Sequence, residues 1–307
     1  MVKNNTTGGL HMRNTIKYLL LFSLTLSFSL RAFAQDAMSV IAPIDKGIHA
    51  IDSLTRYGEV QDTLPVPYMQ LPRSFLQIQE NILIDTIGIL APFWEKIKQV
   101  KRKRSNSILR VLHVGDSHIR GHILPRTAGD SLQLAVNQLT YTDMGINGAT
   151  CETFSTPQHI SEICQEHPDL LILSFGTNES HNRGYNATRH YQQMQDFVRM
   201  LRTALPGVPI LMTTPPGSYQ GRRRSYSLNP RTAIAVQTIH RFAYDNGIAV
   251  WDLFNICGGS RRACLNWQGA KMMRPDHVHY TVEGYILQGQ LLYQALIKAY
   301  NEYVGYR

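Results

Sequence analysis

Five short apolar runs, separated by stretches of helical periodicity, occupy the chain from residue 108 onward and restrict its architecture more than any other feature. The runs cover residues 108–115, 141–144, 170–175, 209–213 and 249–253. Helical spacing governs about 125–138, 157–165, 188–205, 230–246 and a last stretch at 281–303. Strands this apolar need both faces covered, which predicts a parallel sheet between two helical layers. The expected fold is a flavodoxin-like three-layer α/β/α sandwich with a five-stranded parallel sheet. No internal repeat or low-complexity tract breaks the pattern.

Open sheets of this kind place their chemistry at the carboxyl edge. The first strand runs into Gly115-Asp116-Ser117-His118, the second into a turn containing Gly148, and the third into Gly176-Thr177-Asn178-Glu179. A fourth segment, Asp276-His277-Val278-His279, precedes the final helix and can return over the same edge. A serine that transfers an acyl group needs a base, a group that orients the base, and donors for the oxyanion. His279 is the candidate base and Asp276, three residues earlier, its orienting partner. The backbone N–H groups of Ser117 and Gly148 and the Asn178 amide are the candidate oxyanion donors.

Each residue also has a plainer reading. Ser117 alone would be an N-cap and Asn178 alone a turn former; their joint occurrence favours chemistry. His277 competes with His279 but adjoins Asp276 and cannot easily face it. His113 reads as a core histidine. His118 either lines the substrate cleft or caps the following helix. The loop at 213–219 and the basic run Arg222, Arg223 and Arg224 leave the fourth strand at the same edge. With Tyr219 and Tyr226 they read either as substrate contacts for a sugar or anionic group, or as a solvated loop.

These blocks resemble those of the SGNH (GDSL-type) hydrolases, in which Ser, Gly, Asn and His stand in separate blocks on a flavodoxin-like sheet. The resemblance covers about residues 108–303. It implies Ser117 as nucleophile, Gly148 and Asn178 as oxyanion residues, and Asp276 and His279 as the remaining pair. His118 and Glu179 depart from the family's usual leucine and aspartate. The GDSH variant and its final block resemble the branch containing peptidoglycan and polysaccharide O-acetylesterases.

Residues 12–34 have a basic start, an apolar core at 18–30 and Ala32-Phe33-Ala34 before Gln35, the three parts of a secretory signal peptide. The apolar core is short for a membrane anchor. Met12 reads as the natural start. The expected organisation is a signal peptide at 1–34, an arm at 35–71 with a helical prelude to residue 103, and the hydrolase domain at 104–307. Lys3, Arg13, Lys17 and Arg31 leave with the signal segment, so the formal charge falls from +9 to +5. Export argues against a nucleic-acid partner, and a positive surface suits anionic envelope polymers. The run from Lys101 to Arg104 reads as a solvated helix end.

Four cysteines in an exported chain permit two disulfides in three connectivities. The local pairs Cys257–Cys264, closing a flexible loop at 258–263, and Cys151–Cys164 are favoured. No Cys-x-x-Cys spacing suggests zinc, and the expected chemistry requires no metal or organic cofactor. The expected activity is periplasmic or secreted removal of short O-acyl groups, acetyl foremost, from an acylated carbohydrate such as peptidoglycan. Alternatives are an O-acetyltransferase, a lipid acylhydrolase and an inert glycan-binding module.

Overall fold

The computed structural model describes residues 62–222 and 225–305, the side chain of Arg222 excepted. The expected signal segment at 1–34 and the arm up to residue 61 lie outside the described residues, as does Arg223. In chain order, β1 (Leu83–Ile84), α1 (Ala91–Lys101), β2 (Leu109–Gly115), α2 (Ser117–Arg120) and α3 (Ile123–Ala135) come first. Then follow β3 (Leu139–Gly145), α4 (Cys151–Phe154), α5 (Pro157–Gln165), β4 (Leu170–Ser174), α6 (Thr177–His181) and α7 (Ala187–Ala204). The remainder is β5 (Ile210–Thr213), a hairpin of β6 (Tyr219–Arg222) and β7 (Ser225–Leu228), α8 (Pro230–Asn246), β8 (Ala249–Trp251), α9 (Leu253–Ile256), α10 (Gly259–Gly269) and α11 (Val282–Gly305).

Six strands form the main sheet in the order β1-β8-β5-β4-β2-β3, all parallel except β1. Its five parallel strands therefore run 2-1-3-4-5 in order of appearance, the flavodoxin arrangement, with the topological switch point between β2 and β4. Alternate residues face opposite layers. Val111, Ile172, Leu211 and Trp251 belong to a core shared with α1, α3, α10 and α11. Leu112, Leu173, Met212 and Val250 belong to a second core with α4, α5, α7 and much of α8. Among the described residues no helix is long and apolar enough to cross a membrane.

Three expectations need correction. The sheet has a sixth strand because the expected helical prelude is mostly extended: only Ala91–Lys101 is helical, and Leu83 and Ile84 pair antiparallel with Trp251 and Val250. Leu76, Ile82 and Ile87 are exposed and form no core stripe, while Pro92 begins a helix instead of interrupting one. The stretch expected as a flexible loop before Cys264 is α10, whose Trp267 packs edge-on against Phe75 and Tyr280 at 4.9 Å from each.

The third correction concerns the disulfides: all four cysteines are free. Helix α10 turns Cys264 toward Gly217, where a Cβ would meet its Sγ at 3.1 Å. Cys151 is buried at the start of α4, and its thiol is paired with Glu179, not with Cys164. Burial pushes the Cys264 thiol up to about 12, so it behaves as a small core side chain.

The parallel register sets Gly115 opposite both Gly145 and Ser174. Helix α2 folds directly over Gly145, where an added Cβ would fall 2.2 Å from the Arg120 nitrogen. Backbone cannot yield as a side chain tip can, so Gly145→Ala is expected to destabilise the fold by about 1–3 kcal/mol. Urea unfolding measures this directly; an unchanged midpoint would mean that α2 is not seated on Gly145.

Candidate active site

Ser117 opens α2, and the turn before it is shaped by Asp116. The Asp116 side chain caps the helix, its Oδ1 accepting the His118 N–H at 2.9 Å. The first N–H groups of a helix lack intrahelical partners, and Ser117 is the first residue of this short helix. Ser117 Oγ lies 2.9 Å from His279 Nε2, and His279 Nδ1 lies 3.0 Å from Asp276 Oδ2. It is His279, and not His277, that reaches the serine.

The loop carrying this pair is held from several sides. Asp276 Oδ1 accepts the N–H groups of Val278 and His279 at 2.9 and 2.8 Å. Partial burial opposes ionisation of Asp276, but those two N–H groups and the imidazole outweigh it, and its pKa falls below the ordinary value. His277 adopts a left-handed φ of 59°. Its carbonyl accepts the Tyr219 N–H at 2.9 Å, and its ring lies 4.1 Å from that of Tyr226 and 5.4 Å from that of Tyr219. Next to His279, Tyr280 is fully buried and donates to the Gly217 carbonyl at 2.7 Å.

The other two blocks meet the serine at the switch point. The Ile146 N–H donates to the Gly115 carbonyl, and Gly148 follows with φ +76°. A Cβ at Gly148 would project into open space, so its conformation and the clearance above it, not packing, select glycine. The Asn178 amide donates to the Ala149 carbonyl at 2.9 Å and more weakly to Asp116 Oδ2 at 3.4 Å. The structure thus joins the Gly115, Gly148 and Asn178 segments through one short network.

Other expected contacts fare differently. His118 is buried, with Nδ1 on the Tyr285 hydroxyl at 2.9 Å, so it neither lines an open cleft nor caps the helix. It faces a cavity of about 20 Å³ beneath the site. Burial, foremost, and the neighbouring His279 lower its pKa to about 3, leaving it neutral. The Tyr219 hydroxyl is committed to Gln268 Oε1 at 2.6 Å. His113 is a satisfied core histidine between Tyr141 and Ser174, at 2.8 and 2.6 Å.

Two contributors escape a reading of the motifs alone. Glu179 is buried and accepts the Gly176 N–H at 2.9 Å and the Cys151 N–H at 3.1 Å, tying the third block to α4. A Glu three residues past a turn glycine is a recognisable capping signal. Asp116 is the other. Burial raises its pKa to about 8 against the opposing His118 N–H, with the nearby Glu179 adding to the rise.

A serine hydroxyl on an imidazole that is itself oriented by a carboxylate can be deprotonated as it attacks a carbonyl carbon. The sequence profile of the GDSL-like lipase/acylhydrolase family matches residues 113–287. Among solved structures, a peptidoglycan O-acetylesterase is similar at 18% identity, with a TM-score of 0.64 over 72% of this chain and 99% of its own. An acetyl xylan esterase at 18% identity spans 61% of this chain and 100% of its own, with a TM-score of 0.49. A lipase/acylhydrolase from Enterococcus faecalis at 17% identity spans 62% and 96%, with a TM-score of 0.48. No curated protein sequence matches.

The state of Asp116 is open to measurement. An unfolded aspartate titrates near 3.9, so a native value of about 8 means that the folded state holds the proton across the interval between. The resulting stability is complete below about pH 4 and is lost as pH rises through about 8. Asp116→Asn is therefore expected to flatten the decline in Tm between pH 5 and pH 9. Equal declines in the variant and the unsubstituted protein would refute the assignment.

Proposed function

Since this chain belongs to the GDSL-like lipase/acylhydrolase family and is a serine ester hydrolase, we propose that it removes short acyl groups, acetyl foremost, from carbohydrate hydroxyls. The observation that carries the reading is the continuous relay Asp276–His279–Ser117, with links of 3.0 and 2.9 Å. The peptidoglycan O-acetylesterase whose fold is similar supports acetyl as the acyl group and a glycan as its carrier. Residues 12–34, with their basic, apolar and small-residue segments, support export to the periplasm or beyond.

In the proposed reaction Ser117 Oγ attacks the ester carbonyl carbon as its proton passes to His279 Nε2. Asp276 holds Nδ1–H and stabilises the imidazolium. The negative charge on the former carbonyl oxygen is met by the Ser117 and Gly148 N–H groups and the Asn178 amide. Collapse breaks the bond to the sugar oxygen, which leaves with the proton from His279. Water then attacks the acyl-serine, gives a proton to His279 and releases the carboxylic acid as Ser117 regains its hydrogen. The half-exposed Asp276 and partly exposed His279 leave that water a route from solvent.

Ser117→Ala is expected to lower kcat on 4-nitrophenyl acetate by about 10⁴- to 10⁶-fold. Asn178→Ala is expected to lower it by about 10²- to 10³-fold with little change in KM, as for a group that acts mainly in the transition state. Full activity in Ser117→Ala would reject the mechanism. Product analysis on O-acetylated peptidoglycan and xylan tests the acceptor: free acetate is expected, whereas acetyl recovered on a second glycan would assign transfer instead.

A further inference from the structure

A polar groove adjoins Asn178. Thr150 and Glu152 from the start of α4 form one wall, Asn182 lies along its edge, and Arg189 and Gln193 from α7 form the other. The cavity measures about 130 Å³, whereas a single water needs only about 10–15 Å³. It is therefore roomy enough for a multi-atom group. Glu152 Oε2 sits 2.5 Å from Gln193 Nε2 and 3.5 Å from an Arg189 guanidinium nitrogen, both partners being solvent-facing. These groups are prearranged against one another without being desolvated.

The floor of the groove is built differently. Tyr185 is half-buried, with its hydroxyl 3.0 Å from His190 Nδ1 and 3.2 Å from Thr238 Oγ1. His190 is buried, and its Nε2 has no hydrogen-bond partner, with the nearest carboxylate oxygen, on Glu179, 4.0 Å away. That gap is too long for a direct bond and suits one bridging oxygen. Burial lowers the His190 pKa to about 4, so the ring is neutral and its two nitrogens divide into one donor and one acceptor.

We infer that this groove is a carbohydrate subsite that takes the pyranose ring carrying or adjoining the ester, an inference that rests on the esterase reading above. A sugar ring presents neighbouring hydroxyls that each donate and accept. Glu152 accepts from such a pair, while Arg189, Gln193 and Asn182 supply donors in planar, fixed arrangements. A lipid chain in the same place would bury Glu152, Arg189 and Gln193 with nothing to replace their water. Loss of correctly paired hydroxyls leaves the same groups unsatisfied, so the groove selects for a polyol and against an apolar alcohol.

The test uses an O-acetylated N-acetylglucosamine trimer, 4-nitrophenyl acetate, and the double variant R189A/Q193A. The expected result is a KM for the trimer raised at least tenfold, so that kcat/KM for the trimer falls at least tenfold relative to that for 4-nitrophenyl acetate. An unchanged ratio would overturn the subsite. Binding of the unacetylated trimer to S117A, followed by titration calorimetry, separates this inference from the reaction itself. Saturable binding that weakens at least tenfold in S117A/R189A/Q193A supports the subsite even if the unsubstituted protein cleaves no ester. No saturable binding to S117A, or binding indifferent to the two added substitutions, overturns it even if Ser117 proves to be an esterase nucleophile.

Discussion

A contact between two stretches of backbone, with no side chain between them, determines where the candidate nucleophile Ser117 stands. Gly145 closes β3 beside Gly115, and the first turn of α2 rests on both. An added Cβ at Gly115 would meet Ile119 at 2.5 Å and the Ser174 carbonyl at 2.7 Å. The three strand ends β2, β3 and β4 thus leave space for a helix only if two of them end in glycine. Because peptide planes are stiff, the contact on Gly145 lacks the rotamer freedom by which side-chain packing absorbs a displacement. Ser117 inherits that rigidity, as a group that must hold a narrow attack geometry requires.

The other half of the site arrives from 162 residues away and is secured in another manner. The 276–279 loop is not seated on the sheet; it is tied by hydrogen bonds to its surroundings. The Arg274 N–H meets the His279 carbonyl at 2.8 Å, Tyr219 holds His277, and Tyr280 anchors the next residue to Gly217. A histidine at φ 59° costs of order 1 kcal/mol and persists because these ties over-determine the turn. The β6–β7 hairpin therefore has a structural connection to the proposed Asp276–His279 pair that is independent of any substrate it touches: its first N–H fixes His277, the residue after Asp276.

The strands and long helices were legible because their apolar periods are strong and each element faces a core on a known side. The layered parallel architecture followed from alternation, since right-handed crossovers in an open sheet leave few arrangements. What was not legible depends on partners distant in sequence. Apolar residues at 76–87 have helical spacing, yet Asn81 is bound to the Trp251 indole at 3.0 Å and to the Leu291 carbonyl at 2.8 Å, which holds the segment extended. Gly258 and Gly259 suggested a loop, but both adopt left-handed φ values as the entry to α10. Cysteine spacing could not reveal that Cys151 would face Glu179. Among the site residues, Ser117, Asp276 and His279 could be picked out because acyl transfer names its residue types. Gly145 could not, because it acts through backbone, and the capping position of Glu179 names no chemistry.

The Asn178 amide shows how buried charge bears on the proposed reaction. Its two hydrogens are directed at the Ala149 carbonyl and, at the longer 3.4 Å, at Asp116. Service to an oxyanion requires one of them to turn, and the longer bond is the cheaper to exchange. With its pKa raised to about 8, Asp116 is neutral at pH 7 and holds that N–H less firmly than a carboxylate would. Its neutrality has a second effect. A negative charge beside the group proposed to receive the oxyanion would oppose the charge that develops there. Burial of Asp116 beneath the serine turn removes that repulsion while its carbonyl oxygen continues to cap the helix. One carboxyl group can therefore shape the turn electrostatically and sterically without opposing the charge that the turn is proposed to stabilise.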